Sequence, residues 1–308
     1  MKLLVTGGSG FIGSHVVDKA IEAGHEAVVF DTRVSPYGAE TTVGDVTRFD
    51  EVAAAAEGCD AIVHLAAMAD VNEVAGAPVA TEAVNAQGTL AVLEAARAAA
   101  VGRVVYASTI WVYGEHVNGI ATEESPLGIP RHLYTATKLA GEMYCRSYGE
   151  LYGVEHTILR FGIPYGPRAR EAAVLPALVI RARAGEPLTI AGTGKQSRRF
   201  VYVEDLADGV VAALAPIAAN RIYNLVGDES VTIREIAELV QELVQPVGIV
   251  HLDGRKGDFP GVEVSGERAA RELGWRATTP FNEGARRYVD WFMASTSSAA
   301  DGNFAKSA

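Results

Sequence analysis

Near the N-terminus the chain reads Leu3-Leu4-Val5-Thr6-Gly7-Gly8-Ser9-Gly10-Phe11-Ile12-Gly13. An apolar run followed by glycines three apart marks a tight turn between a strand and a helix. Gly7 takes the turn, Gly10 lets the backbone approach a pyrophosphate, and Gly13 lets the helix pack close on the strand. The pyrophosphate would sit at the helix N-terminus, against Phe11 and Ile12, where free N–H groups and the helix dipole favour negative charge. A second strand, His25-Glu26-Ala27-Val28-Val29-Phe30-Asp31, ends on a carboxylate. Asp31 stands where an acid bonds the 2′-hydroxyl of an adenosine ribose. Together the two features imply a nucleotide cofactor.

Composition narrows the class. A chain of 308 residues buries a large core. Its net charge of −11 gives no support for nucleic-acid or anionic-membrane partners. Cys59 and Cys145 match neither a metal-ligand spacing nor a disulfide framework, so no metal is expected. No apolar stretch approaches the ~18 residues of a membrane span. Met1-Lys2 runs straight into the first strand and leaves no room for a signal peptide, so a cytoplasmic protein is expected.

Further apolar runs at Asp60–Leu65, Arg103–Ser108 and Glu155–Arg160 alternate with helical stretches at Gly88–Ala100 and Tyr134–Tyr152. This alternation predicts an α/β fold, a Rossmann doubly wound parallel sheet with a smaller C-terminal substrate-binding lobe. Residues 1–165 read as the cofactor domain, rejoined by about 196–220, and 166–294 mainly as the lobe. The small, polar stretch 295–308 reads as a disordered tail.

Tyr134-Thr135-Ala136-Thr137-Lys138 puts a phenol and an ammonium at i and i+4, on one helix face. A phenol titrates near ~10 and needs help to act as a base at neutral pH. A neighbouring ammonium is expected to lower that value. Ser108 and Thr109 close a predicted strand, where a hydroxyl can meet a substrate.

With these motifs the chain resembles the extended short-chain dehydrogenase/reductase family, in its sugar-nucleotide epimerase/dehydratase branch. The likeness covers residues 1–294. After the glycine turn it runs through Asp31, Asp45-Val46, His64-Leu65-Ala66-Ala67, Asn85-x-x-Gly88-Thr89, Ser108-Thr109, Val112-Tyr113-Gly114 and Tyr134-x-x-x-Lys138. It continues through Arg160, Tyr165-Gly166-Pro167, Gly192-Thr193-Gly194-x-Gln196-x-Arg198, Arg255-x-Gly257-Asp258 and Leu273-Gly274-Trp275. The resemblance implies NAD as cofactor. Asp45 and Val46 would meet the adenine, Leu65, Ala66 and Ala67 would line the dinucleotide, and Asn85, Ser108 and Lys138 would complete its site. Thr109 would bond the sugar hydroxyl that is oxidised, and Tyr134 would take its proton. Arg198 and Arg255 would hold the substrate diphosphate, and Asp258, Ile110 and Trp111 would also belong to the substrate site. His64 is expected to bond locally. The two long helices match the pair through which relatives form homodimers.

Departures from the family pattern narrow the reaction. In 4,6-dehydratases of this branch an Asp-Glu pair occupies the places of Ile110 and Trp111, and decarboxylases carry a glutamate at the Trp111 place. Neither carboxylate is present. The reading is therefore a nucleotide-diphosphate-sugar epimerase, at C4 through a 4-keto intermediate, on UDP-glucose/galactose or a UDP-uronate. The alternative is a 4-keto-sugar reductase or dehydrogenase, and a non-catalytic dinucleotide sensor ranks third. Ile163 replaces a family asparagine, and Arg199 replaces an aspartate. Arg199 either adds charge for an acidic sugar or points away. On an extended strand it cannot share a face with Arg198.

One prediction belongs to the sequence itself. A carboxylate at position 31 repels a 2′-phosphate, although Arg33 nearby offers one a partner, so NAD is expected to bind more tightly than NADP. Titrating both oxidised cofactors against the apo-protein measures this, and tighter NADP binding refutes it. Asp31→Ala is expected to narrow the gap mainly by weakening NAD.

Overall fold

The structure, a computed structural model, describes residues 1–114, 119–253 and 263–300. Strands β1 (Lys2–Thr6), β2 (Glu26–Asp31), β3 (Thr41–Val43), β4 (Ala61–His64), β5 (Arg103–Thr109) and β6 (His156–Phe161) come first. They are followed by β7 (Ile163–Tyr165), β8 (Leu188–Ala191), β9 (Ser197–Tyr202), β10 (Arg221–Leu225), β11 (Ser230–Thr232) and β12 (Ile249–Leu252). The helices are α1 (Phe11–Glu22), α2 (Phe49–Ala56), α3 (Val71–Gly76), α4 (Pro78–Glu82), α5 (Gly88–Ala98) and α6 (Leu133–Tyr152). Then come α7 (Val174–Arg183), α8 (Val203–Ala212), α9 (Ile233–Leu243), α10 (Glu267–Leu273) and α11 (Phe281–Ala300).

Seven strands form one parallel sheet in the order β10-β6-β5-β4-β1-β2-β3. The chain leaves β1 towards β2 and β3, then crosses back to β4 on the other side. At that reversal two crossovers diverge and open a crevice at the carboxyl ends of the strands. Both faces are covered, which is why the inner strands read as apolar runs. Val16, Val17 and Ala20 of α1 and Leu206, Ala207 and Val210 of α8 close one face. Val52 of α2, Val92 and Leu93 of α5, and Cys145 of α6 close the other.

The smaller lobe has its own core, drawn from β7, β8, β9, α7, α9 and α11. Its strands form a three-stranded sheet, β11-β9-β7, and a pair, β12-β8. Two boundaries differ from the sequence reading. The chain returns to the large sheet through α8 and β10, so the rejoining segment extends to Leu225, past the expected 220. Residues 295–300, expected in a disordered tail, belong to α11. Ser295 and Thr296 donate their hydroxyls to the carbonyls of Trp291 and Phe292, at 2.8 and 2.9 Å, so these polar residues serve the helix. Residues 301–308 lie outside the described residues.

Helix α6 is fixed by a buried ion pair. Arg160 of β6 donates Nε and Nη2 to the two carboxylate oxygens of Glu142, at 2.9 and 2.7 Å. Ser108 of β5 donates its hydroxyl to the same carboxylate at 2.5 Å, and Arg160 also donates to the Tyr113 hydroxyl at 2.9 Å. Glu142 and Arg160 are 0% and 1% exposed, so loss of either would strand a charge in the core, at a cost of about 3–5 kcal/mol. One residue earlier, Gly141 admits the Tyr106 ring of β5. A Cβ there would stand 2.1 Å from the Tyr106 hydroxyl oxygen.

A second buried network joins the strand ends to α6. Thr89 donates to the Asn85 carbonyl at 2.6 Å, so its oxygen is left to accept from His64 Nε2 at 3.0 Å. His64 Nδ1 then accepts from the Thr6 hydroxyl at 2.7 Å, and the Thr6 oxygen accepts from Ala66 N–H at 3.3 Å. Asn85 lies in the π-helical turn Ala83–Gln87 that precedes α5. Its side chain bonds both backbone groups of Met68, at 2.8 and 2.9 Å, and donates to Thr137 at 3.1 Å. Thr137 in turn donates to the carbonyl of Tyr134 at 2.8 Å.

The wiring requires a neutral His64. Burial, and then the charge of Lys138, pushes its imidazole down to about 3. In the unfolded chain it titrates near ~6.5. Between these values the unfolded state binds the extra proton. The stabilisation is therefore complete above about 6.5 and is lost as pH falls towards about 3. The stability advantage of wild type over His64→Asn is expected to shrink in that window, by up to roughly 1.4 kcal/mol per pH unit. Denaturant melts of both proteins at neutral and acid pH measure it. A difference independent of pH would mean that the fold accepts a charged imidazole.

Candidate active site

The glycine turn is closed as tightly as its spacing implies. Gly7 has φ of 71°, and a Cβ on Gly13 would stand 2.2 Å from the Gly7 carbonyl oxygen. Gly10 is the N-cap of α1. No side chain caps this helix and no acid lies in its first turn, so its leading N–H groups and positive dipole end face the crevice. Asp31 accepts from Ser9 N–H at 3.0 Å, which brings the carboxylate over the turn. Arg33 reaches back to the Ser9 carbonyl at 3.4 Å. A bare anion-binding helix end with an acid beside it fits a dinucleotide.

The next expected residues lie along the same groove. Asp45 accepts from Thr47 N–H at 2.9 Å, and Val46 is buried against Gly88. Leu65 and Ala66 leave β4 with their N–H groups on the Thr6 carbonyl and hydroxyl, and Ala67 follows. Asn85 is only 1% exposed and its amide is spent on Met68 and Thr137. It therefore holds the groove wall to α6. The Ser108 hydroxyl likewise points at Glu142, so it braces β5.

Tyr134, Lys138 and Glu142 lie at i, i+4 and i+8 of α6, and each meets β5 or the turn after it. The Tyr134 ring stands edge-on to Trp111, with centroids 6.1 Å apart and planes at 89°. Lys138 is 3% exposed, with Nζ 5.1 Å from the centre of the Tyr106 ring. Thr109 caps the 3₁₀ turn Ile110–Tyr113, its oxygen accepting from Trp111 N–H at 3.3 Å. Burial governs the titration of both reactive groups. It pushes the Tyr134 phenol up to about 12, against a lowering by the charge of Arg170. It lowers the Lys138 ammonium to about 8. The sequence reading expected the Lys138 ammonium to lower the phenol; in the protein alone, the desolvation of a phenolate outweighs the one cation that acts on it, Arg170.

The remaining expected residues divide. Ile110 turns into an apolar cluster with Tyr113, Ala121, Val226 and Val264, which leaves Trp111 beside Tyr134. Ile163 packs on the core of the lobe. Arg198 and Arg199 are consecutive on β9 and face opposite ways. Arg199 donates Nε and Nη2 to Glu263 at 3.0 and 2.7 Å, and Nη1 to the carbonyls of Gly227 and Asp228. Its guanidinium is engaged in a clamp on β11, which corrects the option of a charge for the sugar. Arg198 donates to the Ser197 carbonyl at 2.8 Å. Arg255 and Asp258 lie outside the described residues.

Sequence reasoning missed a strap that follows β7. His15 donates Nε2 to the Pro167 carbonyl at 3.0 Å. Arg168 pairs with Asp18 at 2.7 Å and lies 4.0 Å from the centre of the Tyr37 ring. Arg170 pairs with Asp70 at 3.3 Å. Residues 166–170 thus join α1, the loop after β2 and the loop after β4. Only the run of arginines after Gly166-Pro167 hinted at it.

Comparison with known proteins agrees with this arrangement. The NAD dependent epimerase/dehydratase family matches residues 3–226. A putative UDP-glucose 4-epimerase of Methanocaldococcus jannaschii is 31% identical over 94% of this chain and 97% of its own length. UDP-glucuronic acid decarboxylase 1 of Xenopus tropicalis is 32% identical over 94% of this chain and 72% of its own length. Among solved structures, the Thermus thermophilus UDP-glucose 4-epimerase in complex with NAD superposes with a TM-score of 0.88 at 33% identity, over 96% of this chain and 100% of that one. With its glycine turn, its Tyr134–Lys138 pair and this match over most of its length, the chain belongs to the NAD-dependent epimerase/dehydratase family of sugar-nucleotide enzymes.

Proposed function

We propose that the protein is a 4-epimerase of a nucleotide-diphosphate sugar, with a UDP-sugar as substrate and a 4-keto sugar as intermediate. One observation carries the reading. Tyr134 and Lys138 stand beside a turn, Ile110–Tyr113, that offers Trp111 and no carboxylate. Elimination and decarboxylation need an acid–base group at a carbon next to the oxidised one. Epimerisation needs one base at the hydroxyl.

NAD⁺, when bound, would supply hydride-accepting and hydride-donating chemistry at C4. Gly7, Gly10, Phe11, Ile12 and Gly13 would hold its pyrophosphate, Asp31 its adenosine ribose, and Asp45 and Val46 its adenine. Leu65, Ala66 and Ala67 would line its middle. Thr109 orients the C4 hydroxyl, and Tyr134 takes and returns its proton. Lys138 and Arg170 set positive charge against the phenolate as it forms, offsetting the burial that holds the phenol near about 12. Arg198 holds the diphosphate while the sugar turns, so that binding of the unreacting nucleotide positions the reacting carbon. In this reading residues 1–165, with α8 and β10, serve the cofactor, and the lobe serves the sugar nucleotide. Leu90 of α5 and Met143 and Leu151 of α6 are exposed and suit a homodimer through those helices.

Among UDP-sugars an acidic one is favoured by Arg170. This half-exposed cation is near enough to Tyr134 to act on its phenol, and it pairs with Asp70 at 3.3 Å. A sugar carboxylate would take the place of Asp70 at this guanidinium, whose planar donors suit carboxylate oxygens.

Tyr134→Phe keeps the packing and removes the proton acceptor, so turnover is expected to fall ~10²–10⁴-fold with nucleotide binding retained. Near wild-type turnover in a folded variant rejects the assignment. The acidic-sugar reading rests on the ratio of kcat/KM for UDP-glucuronate and UDP-glucose. Arg170→Leu is expected to lower it by about 10- to 100-fold, the worth of a charged hydrogen bond. An unchanged ratio removes the uronate preference.

A further inference from the structure

Trp111 occupies a position that the reaction does not require to be aromatic, and the structure invests in holding it there. Its ring stands edge-on to Tyr134 and lies 5.9 Å from the His132 ring, at 43°. Its backbone is pinned by the bond to Thr109, and the next residues close the turn onto Gly114 with φ of 65°. Ile110 before it and Tyr113 after it are buried in a common apolar cluster. The indole is therefore a fixed wall beside the phenol.

The chemistry beside that phenol explains a wall. Tyr134 serves the hydroxyl on C4, so a ring packed against Tyr134 flanks one of the two carbons next to C4. Once C4 is a ketone, the hydrogens on both neighbours are acidic. A base or water on that side would take one such proton, and the C–H electron pair would pass into an enolate. Reprotonation from either face would then scramble that carbon, and a leaving group one carbon further on would be expelled. An indole has one N–H donor, no acceptor and no basic atom at neutral pH. It also displaces water from the side it covers.

Resting on the epimerase reading, we propose that Trp111 is a specificity-determining residue. It keeps water and base away from one carbon beside the 4-ketone, so that enolisation on that side is closed to the intermediate.

The experiment is turnover in D₂O, with NMR of the recovered UDP-sugar to locate deuterium on the ring. In the wild type, both carbons flanking C4 are expected to keep their protium. Trp111→Glu places a carboxylate on that side and is expected to raise labelling at one flanking carbon, and not the other, by at least about tenfold, given the size of general-base effects. Trp111→Ala admits water and is expected to label the same carbon more slowly, and Trp111→Phe is expected to restore wild-type exclusion. Should Trp111→Glu fail to fold, Trp111→Ala decides. Labelling no faster than wild type in the folded variants, or equal labelling on both sides of C4, overturns the proposal. A wild type that interconverts no UDP-sugar overturns the epimerase reading first and this proposal with it, an outcome visible without any variant.

Discussion

A single buried carboxylate sets the geometry on which the rest of the site depends. Glu142 ties α6 to two neighbouring strands at once, through Ser108 on β5 and Arg160 on β6. Since Lys138 and Tyr134 stand one and two turns before it on the same face, fixing Glu142 fixes the register of the reactive pair. A buried ion pair is weak evidence for stability, because desolvation offsets most of its attraction. Its value here lies in direction: the bidentate fork accepts one orientation of helix against sheet. An apolar contact at the same place would tolerate sliding, and a slide of about one residue along a helix moves a side chain by about 1.5 Å.

Low dielectric then acts three ways on the groups the frame holds. It pushes the Tyr134 phenol up to about 12, brings the Lys138 ammonium down to about 8 and the His64 imidazole down to about 3. All three are displaced towards their neutral forms, as expected where water is scarce. His64 uses neutrality as wiring, since one ring nitrogen donates and the other accepts. Tyr134 and Lys138 stand poised, a phenol that needs positive charge and an ammonium that holds it at some cost. At neutral pH the site thus rests with a neutral phenol and a mostly charged ammonium one turn apart.

Much of this was legible in the chain, because the physics was local. β1, β2, β4, β5 and β6 showed as apolar runs since their neighbours cover both faces, and Tyr134 and Lys138 showed through helical spacing. β3 escaped notice because its three residues, Thr41-Thr42-Val43, form an edge with little apolar pattern. β10 was hidden by Asn224, fully buried yet polar, whose amide oxygen accepts from Tyr113 at 2.7 Å. Ser108 looked like a cofactor ligand because a hydroxyl at a strand end has two sides to face, and its side is decided by Glu142, thirty-four residues on. The pairing of Arg170 with Asp70 left no local signature at all. Its partners come from different crossovers, and only the folded sheet brings their loops together.

The lobe meets the large sheet at adjacent crossings. The chain passes out between β6 and β7, comes back between β9 and α8, leaves again after β10, and packs on the large core once more at α10 before α11. These crossings touch: Gly162 N–H donates to the Leu225 carbonyl at 2.8 Å, and a Cβ on Gly227 would overlap the Phe200 carbonyl oxygen, 1.8 Å away. Contacts this close leave no room for a side chain at either glycine, so the backbones of the two halves touch directly along the seam. The bonds of Arg168 to Asp18 and of Arg170 to Asp70 add a second kind of fastening, side chain to side chain, so the segment after β7 is held by charge as well as by backbone.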